Sequence, residues 1–352
     1  MGNEKDTGRR RTKVGSFFAE KGVTLSLRTY FVDAMGAMAF GLFASLLIGT
    51  IFGTIGEKFN IEFLTAAAGY AKQVTGAALG LAIAYSLEAP PLVLYTCAAV
   101  GLAGYEISGA GPVGSYCAVI IAAELGKLIS KETKIDIILT PAATLLSGVA
   151  MATWVGPYVA KLMTWFGGLI MTATEMHPLM MGACVAALTG IALTLPISSA
   201  AICWSLGLAG LAGGAATAGC CAQMIGFAVM SFSDNGWGGV IAQGLGTSML
   251  QMPNIVRRPV IWIPPILTSM VTGALSTTLF KMENISTAAG MGTCGLVGPI
   301  GVLTEMGGST MTWLGIILVC FVLPAVLTPL FAWPLRLFGL IRDDDMLLDT
   351  GC

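Results

Sequence analysis

PLMMGACVAALTGIALTLPISSAAICWSLGLAGLAGGAATAGCCAQMIGFAVMSFS, residues 178–233, contains no charged side chain. A helix crosses the roughly 30 Å hydrocarbon core of a bilayer with about 20 apolar residues, so this run is long enough for two crossings. The pattern continues outward on both sides. Before it lie the charge-free blocks 34–55, 73–87, 89–105, 107–123 and 137–160, and after it 235–256, 259–280, 284–304 and 306–335. At about 30 residues per crossing with its connection, residues 31–335 predict an all-α polytopic membrane domain of about ten transmembrane helices.

Composition agrees. Of 352 residues, 55% are hydrophobic and 11% charged, against roughly a quarter charged in soluble domains, which excludes a soluble globule. With 18 Lys and Arg against 19 Asp and Glu, the near-zero net charge gives no electrostatic basis for direct nucleic-acid binding. The nine cysteines are odd in number and form no C-x-x-C pair; all but Cys352 lie in apolar stretches, where a thiol packs as a small hydrophobe. Residues 1–30 carry Arg9, Arg10, Arg11, Lys13, Lys21 and Arg28 and read as a basic tail with a surface helix. The positive-inside tendency puts that tail in the cytoplasm, and an even number of crossings puts the acidic 336–352 tail there too. The expected location is the cell membrane.

Two blocks depart from plain spans. Residues 235–256 contain Gly236, Gly238, Gly239, Gly244 and Gly246 with Gln243, Gln251 and Asn254. Residues 284–304 contain Gly290, Gly292, Gly295, Gly298, Pro299 and Gly301. Non-helical backbone at membrane depth survives only where protein buries it or water reaches it, so both blocks predict re-entrant or broken-helix hairpins lining a cavity, at 235–256 and 284–308. GLGTSMLQMP (244–253) and GMGTCGLVGP (290–299) share Gly, Gly, Thr, Leu and Pro at a constant offset of 46. Paired interrupted segments of this kind point to a midplane binding site, at which Thr247 and Thr293 are equivalent.

Chemistry-bearing residues are few. Gly290–Gly295 fits G-x-G-x-x-G in letters only, since no strand precedes it and residue 310 is Thr rather than an acid. Asp33, Lys72, Glu88, Glu106, Glu124, Glu175, His177, Asp234 and Lys281 stand at block ends, at headgroup depth. Glu305 follows the second repeat within a long charge-free surround, and an ionisable group inside a span is a functional candidate because burying it is costly. SFSDNGWGG (231–239) reads in two ways: Asp234, Asn235 and Trp237 supply what a polyol site uses, and Asp-Asn-Gly is equally a turn. The candidate solute-binding set is therefore Glu305, Thr293, Thr247, Asp234, Asn235, Gln243, Gln251 and Asn254, with Glu305 expected within reach of a cavity that both threonines approach. No Ser/His/Asp arrangement, metal-ligand cluster or P-loop occurs in the sequence, so no self-contained enzyme, metal or cofactor is predicted.

YFVDAMGAMAFGLFASLLIGTIFGTIGEKF (30–59), GTSMLQMPNIVRRPVIWIPPILTSMVTGALSTTLFKMEN (246–284) and AGMGTCGLVGPIG (289–301) resemble the membrane IIC-type (EIIC) subunits of the sugar phosphotransferase system, in the branch that includes perfringolysin-regulator proteins. The resemblance covers about residues 30–340. It implies a homodimeric permease with a scaffold-like first half and a transport half carrying two hairpins, moving a sugar or sugar derivative that a separate cytoplasmic IIB protein phosphorylates. In sugar-transporting relatives a hairpin carboxylate and a histidine contact sugar hydroxyls. Glu305 takes the carboxylate's place, whereas His177, the single histidine, lies far before either repeat and departs from the pattern. No fused IIA or IIB domain is expected, so any phosphoryl donor is expected to be another polypeptide. The named branch is associated with gene regulation, which makes a membrane sensor that keeps the transporter fold the alternative class. An organic-anion carrier, drawing on half-helix N-termini and Lys281, is a further one.

Overall fold

The computed structural model describes residues 21–348 apart from 24, 25 and 27. The basic tail and surface helix expected over residues 1–30 fall mostly outside these, as does Cys352. The described chain is helical, and its one strand-like feature is an isolated bridge between Gly210 and Asn284. Among the described residues six helices are long and apolar enough to cross a membrane: Thr29–Glu57, Pro112–Ile129, Asp136–Trp154, Gly210–Met230, Pro259–Thr278 and Thr310–Leu337. Thr75–Ser86, Pro91–Ile107, Pro178–Thr194 and Cys294–Met306 are shorter apolar helices. Helices pair every backbone group within the segment, which a bilayer's lack of water demands. Proline at the first helical positions starts Pro91–Ile107, Pro112–Ile129 and Pro178–Thr194, where its missing N–H has no intrahelical partner to lose. The long apolar run 178–233 resolves into Pro178–Thr194 and Gly210–Met230, separated by the short helix Ser199–Ser205.

The described residues form two compact units, one within 1–41 and 76–159 and the other within 42–75 and 160–352. In the first, Pro91–Ile107 packs against Pro112–Ile129 through small residues. A Cβ on Gly104 would come 2.8 Å from the Ser115 Cα, and the Ser115 hydroxyl donates to the Gly101 carbonyl at 2.6 Å. Tyr116 donates to the Tyr30 carbonyl at 2.6 Å. At the far end of the same helix the buried Lys127 ammonium donates to the Gly22 carbonyl at 3.1 Å and lies 3.4 Å from the Glu124 carboxylate, tying the start of the described chain to that helix.

The second unit is organised by three helices, Pro178–Thr194, Gly210–Met230 and Ile263–Thr278. Between apolar helices in lipid there is little hydrophobic drive to associate, so close packing over small residues supplies the contact. Gly182 faces Gly273, and Gly190 and Gly219 meet each other's helices so closely that a Cβ on Gly219 would sit 2.0 Å from the Ala186 carbonyl oxygen. One buried polar residue joins all three: Gln223 accepts from Thr194 at 3.2 Å and Trp262 at 3.0 Å and donates to Ser269 at 3.3 Å. Thr328 donates to Thr268 at 3.0 Å, which attaches the Leu323–Leu337 helix.

Both glycine-rich blocks are broken helices. In the first, Phe232–Ile241 is interrupted at Gly236 (φ 56°), followed by a π-turn at Ala242–Gly246, an extended Thr247, a 3₁₀ turn at Ser248–Gln251 and the helix Met252–Arg257. In the second, Ser286–Ala289 is followed by left-handed Gly292 and Gly295, a 3₁₀ turn at Cys294–Leu296 and the helix Val297–Met306. Thr247 and Thr293 stand at the same point in both, just before the 3₁₀ turn, and a helix carrying Pro253 or Pro299 follows. We call residues 232–257 the first hairpin and residues 285–306 the second.

Candidate functional site

The second hairpin is seated by Asn284. This fully buried amide donates to the Thr217 hydroxyl at 2.6 Å and the Gly298 carbonyl at 3.1 Å, and its oxygen accepts from the Ile285 N–H at 2.8 Å. Two donated bonds and one accepted bond thus hold the start of the hairpin and its Val297–Met306 helix beside Gly210–Met230. Further along, the Ser199 hydroxyl donates to the Gly290 carbonyl at 2.7 Å. Gly292 adopts φ 54° where a Cβ would meet the Cys220 backbone at 2.8 Å, so both conformation and space require glycine there.

A helical pair faces this hairpin in the same unit. Ile48–Phe59 ends in left-handed Asn60 (φ 53°), a conformation asparagine tolerates better than most residues, and Glu62–Gln73 returns along it. Gly49, Gly53 and Gly56 form one face of the first helix. A Cβ on Gly49 would lie 3.0 Å from the Lys72 Cγ, and one on Gly56 2.8 Å from the Thr65 nitrogen. The bare face lets the Lys72 stem lie along the helix with its ammonium level with Gly53.

Between this pair and the second hairpin lies a cavity of about 350 Å³, within the usual size of about 300 to 1,000 Å³ for small-molecule sites. Its polar lining is Thr50, Thr54, Glu57, Lys72, Thr287 and Thr304; Ile285, Met291, Val297 and Ile300 supply apolar wall. Thr50, Thr54 and Thr304 donate to the carbonyls of Leu46, Thr50 and Ile300, at 2.7, 2.9 and 2.9 Å, which leaves their oxygens as acceptors. Neither Glu57 nor Lys72 is in an ion pair with another described residue. The cavity therefore combines acceptor hydroxyls, a carboxylate and an ammonium with apolar surface. That set can accept from and donate to the hydroxyls of a small polar molecule while packing against its carbon face. Glu57 also borders a wider recess of about 620 Å³ with Asn60, Glu62 and Thr65.

The residues singled out in the sequence fall elsewhere. Glu305 is exposed on the last turn of Val297–Met306, and neither it, Thr247 nor Thr293 lines the cavity. Thr293 is fully buried and donates to the Gly244 carbonyl at 2.5 Å, so the second repeat touches the first through its equivalent position. Thr247 accepts from the Met249 N–H at 3.1 Å and caps its own turn. Thr293→Val should lower stability by about 1 kcal/mol, the net worth of a neutral hydrogen bond; an unchanged thermal midpoint in detergent would mean that this hydroxyl does not join the hairpins.

The amides do converge, in a relay. Gln243 donates to the Ser231 hydroxyl at 2.9 Å, Gln251 to the Gln243 oxygen at 3.0 Å and Asn254 to the Gln251 oxygen at 2.9 Å. Asp234, Asn235, Gln251 and Asn254 then turn to main-chain groups of residues 346–348, so what they bind here is the chain itself. Trp237 is 73% exposed and packs edge-on to Phe232 with centroids 5.4 Å apart. His177 is exposed, immediately before Pro178. Among the described residues no three His, Cys, Asp or Glu side chains cluster as metal ligands.

Sequence reasoning missed Glu57 and left Lys72 among the block ends, because each closes an apolar run. The signal that could have joined them is the Gly49, Gly53, Gly56 face, whose spacing announces a close-packed partner helix.

The family model described as Phosphotransferase system, EIIC matches residues 32–348. No curated protein and no solved structure matches the chain.

Proposed function

The chain belongs to the phosphotransferase-system EIIC family, a family of membrane permeases, and from that premise we propose that it carries a sugar or sugar derivative, bound in the cavity lined by Glu57, Lys72 and the threonines. The observation that carries this reading is the company those two charges keep. Unpaired with other described residues, they share a 350 Å³ cavity with four hydroxyls, a lining matched to several ligand hydroxyls at once. A separate phosphorylated IIB protein would transfer its phosphoryl group to a hydroxyl of the bound solute. The perfringolysin-regulator branch, the homodimer and a cytoplasmic position for both tails belong to the same proposal.

Labelled-solute uptake into proteoliposomes over a carbohydrate panel, with and without cytoplasmic phosphotransfer proteins, tests it. Saturable uptake of one sugar class is the expected result. Competition by carboxylates and not by sugars would favour an organic-anion carrier instead, with Lys72 as the anion's partner. Cross-linking in lipid should give dimers, and monomers alone would remove that part of the proposal.

A sensor reading draws on a different observation, the contact between the C-terminal segment and the first hairpin. Solute binding without uptake, together with loss of signalling on deletion of residues 343–352, would favour it.

A further inference from the structure

The last described residues do not form a free tail. Ile341 and Met346 are buried, and the main chain from Met346 to Leu348 is held by side chains of the first hairpin. The Met346 N–H donates to the Asp234 carboxylate at 3.2 Å. The Met346 carbonyl accepts from Asn235 at 2.8 Å and from Gln251 at 2.9 Å. Asn254 donates to the Leu347 carbonyl at 2.9 Å, and the Leu348 N–H donates to the Asn235 oxygen at 2.7 Å. Five bonds from four side chains thus read peptide main chain. Asparagine 235 grips the segment with both ends of its amide, as a paired strand would.

Two further contacts set the register. The Met346 side chain is fully buried, and the Asp345 carboxylate lies 3.3 Å from Arg258, one residue beyond the hairpin's last helix. A turn in which the Arg342 N–H donates to Asp345 at 2.8 Å leads the chain into this position.

We propose that residues 342–348 are a releasable strap, and that their docking and the conformation of the first hairpin form one coupled equilibrium. The reason lies in Gln243, Gln251 and Asn254, which are buried with the segment in place. Lifting the segment removes an acceptor from Gln251 and another from Asn254, and a buried donor left unpaired is costly. The hairpin must then admit water or repack its relay, so whatever displaces the strap shifts the hairpin, and whatever moves the hairpin loosens the strap. The main-chain bonds would fit any sequence, and the buried Met346 and the Asp345–Arg258 pair confine the contact to this one stretch.

Hydrogen exchange with mass spectrometry on the full chain in nanodiscs tests the proposal. The amides of Met346 and Leu348 should exchange at least tenfold more slowly than in a free peptide of residues 342–352. Truncation after Ile341 should speed exchange across 239–257 at least tenfold while leaving 181–194 and 266–278 unchanged, and the free peptide added to the truncated protein should restore protection saturably, where a scrambled peptide does not. Met346→Ser, which keeps chain length and removes the buried anchor, gives the same reading if the truncated protein fails to fold. Free-peptide exchange at 346 and 348 in the unaltered protein would overturn the strap, and so would unchanged protection of 239–257 in both variants. These readouts contain no solute, so failure of the uptake assay leaves them standing.

Discussion

Lys72→Met is expected to weaken solute binding by one to two decades without unfolding the protein. The ammonium reaches the cavity over a glycine face and has no anionic partner among the described residues, so its donors are free for ligand oxygens. A hydrogen bond to a charged group contributes about 1.5 to 3 kcal/mol, which the affinity arithmetic converts to that range. Glu57→Gln, which keeps shape and loses charge, should act in the same direction. Methionine preserves the stem that packs on Gly49, so the thermal midpoint should hold. The measurement is equilibrium binding or the KM of uptake for whichever labelled sugar the wild type takes. Glu305→Gln, measured beside them, separates two assignments: the resemblance to sugar permeases gives Glu305 the leading role, whereas its position outside the cavity lining gives it a small one. Wild-type affinity in both Lys72→Met and Glu57→Gln would remove the cavity as the solute site and leave the family and fold intact.

Gly219→Val should prevent the second unit from folding. Its Cβ would lie 2.0 Å from the Ala186 carbonyl oxygen and 2.6 Å from the Ala186 Cα. Both are main-chain atoms, and no rotamer change can clear them. The two helices would have to part, which loosens the contact of Gly190 on the facing helix and strains the Gln223 relay to Thr194 and Ser269. Overpacking in a tight core costs about 1 to 3 kcal/mol and sometimes more; Gly219→Ala should stand at the upper end of that range and the valine beyond it. Thermal unfolding with size-exclusion detection reads the difference. Gly168→Ala is the control, since nothing lies within 4 Å of the added Cβ on an exposed helix surface, and it should be neutral or slightly stabilising. An unchanged midpoint in Gly219→Ala would contradict the packing of these helices.

The candidate site was only half legible. The repeat at offset 46 marks two broken helices, and the amides of 235–256 stand out in an apolar block. Their partner was not visible, because residues 346–348 lie 93 to 113 positions further along the chain and contribute backbone, which every residue has and which therefore leaves no compositional trace. Glu57 and Lys72 were hidden by the opposite habit. A charge at the end of an apolar run is usually solvated, as Glu57 and Lys72 are, and only the pairing of Ile48–Phe59 with Glu62–Gln73 brings these two to the lining of one cavity. Glu305 shows the same limit from the other side: isolation within an uncharged stretch marks a position in sequence, and exposure on the last turn of a helix is a matter of which side that turn presents.

What the sequence determined by itself is the solvent this protein folds in. Long uncharged runs demand a bilayer, a bilayer admits only helices or closed barrels because backbone groups there must pair within the protein, runs of about 20 apolar residues select helices, and glycine clusters mark where those helices break. These are local properties, written in windows of about 20 residues. The tertiary structure decided which polar groups meet. In a core where apolar contacts between helices and lipid are nearly equivalent, partner choice rests on small-residue faces such as Gly182 with Gly273 and Gly49 with Ala68, and on single amides such as Gln223 and Asn284. Their pairing depends on the fit of surfaces far apart in the chain, and that fit places Lys72 and Glu57 in one cavity and turns Asn235, Gln251 and Asn254 toward the C-terminal strap.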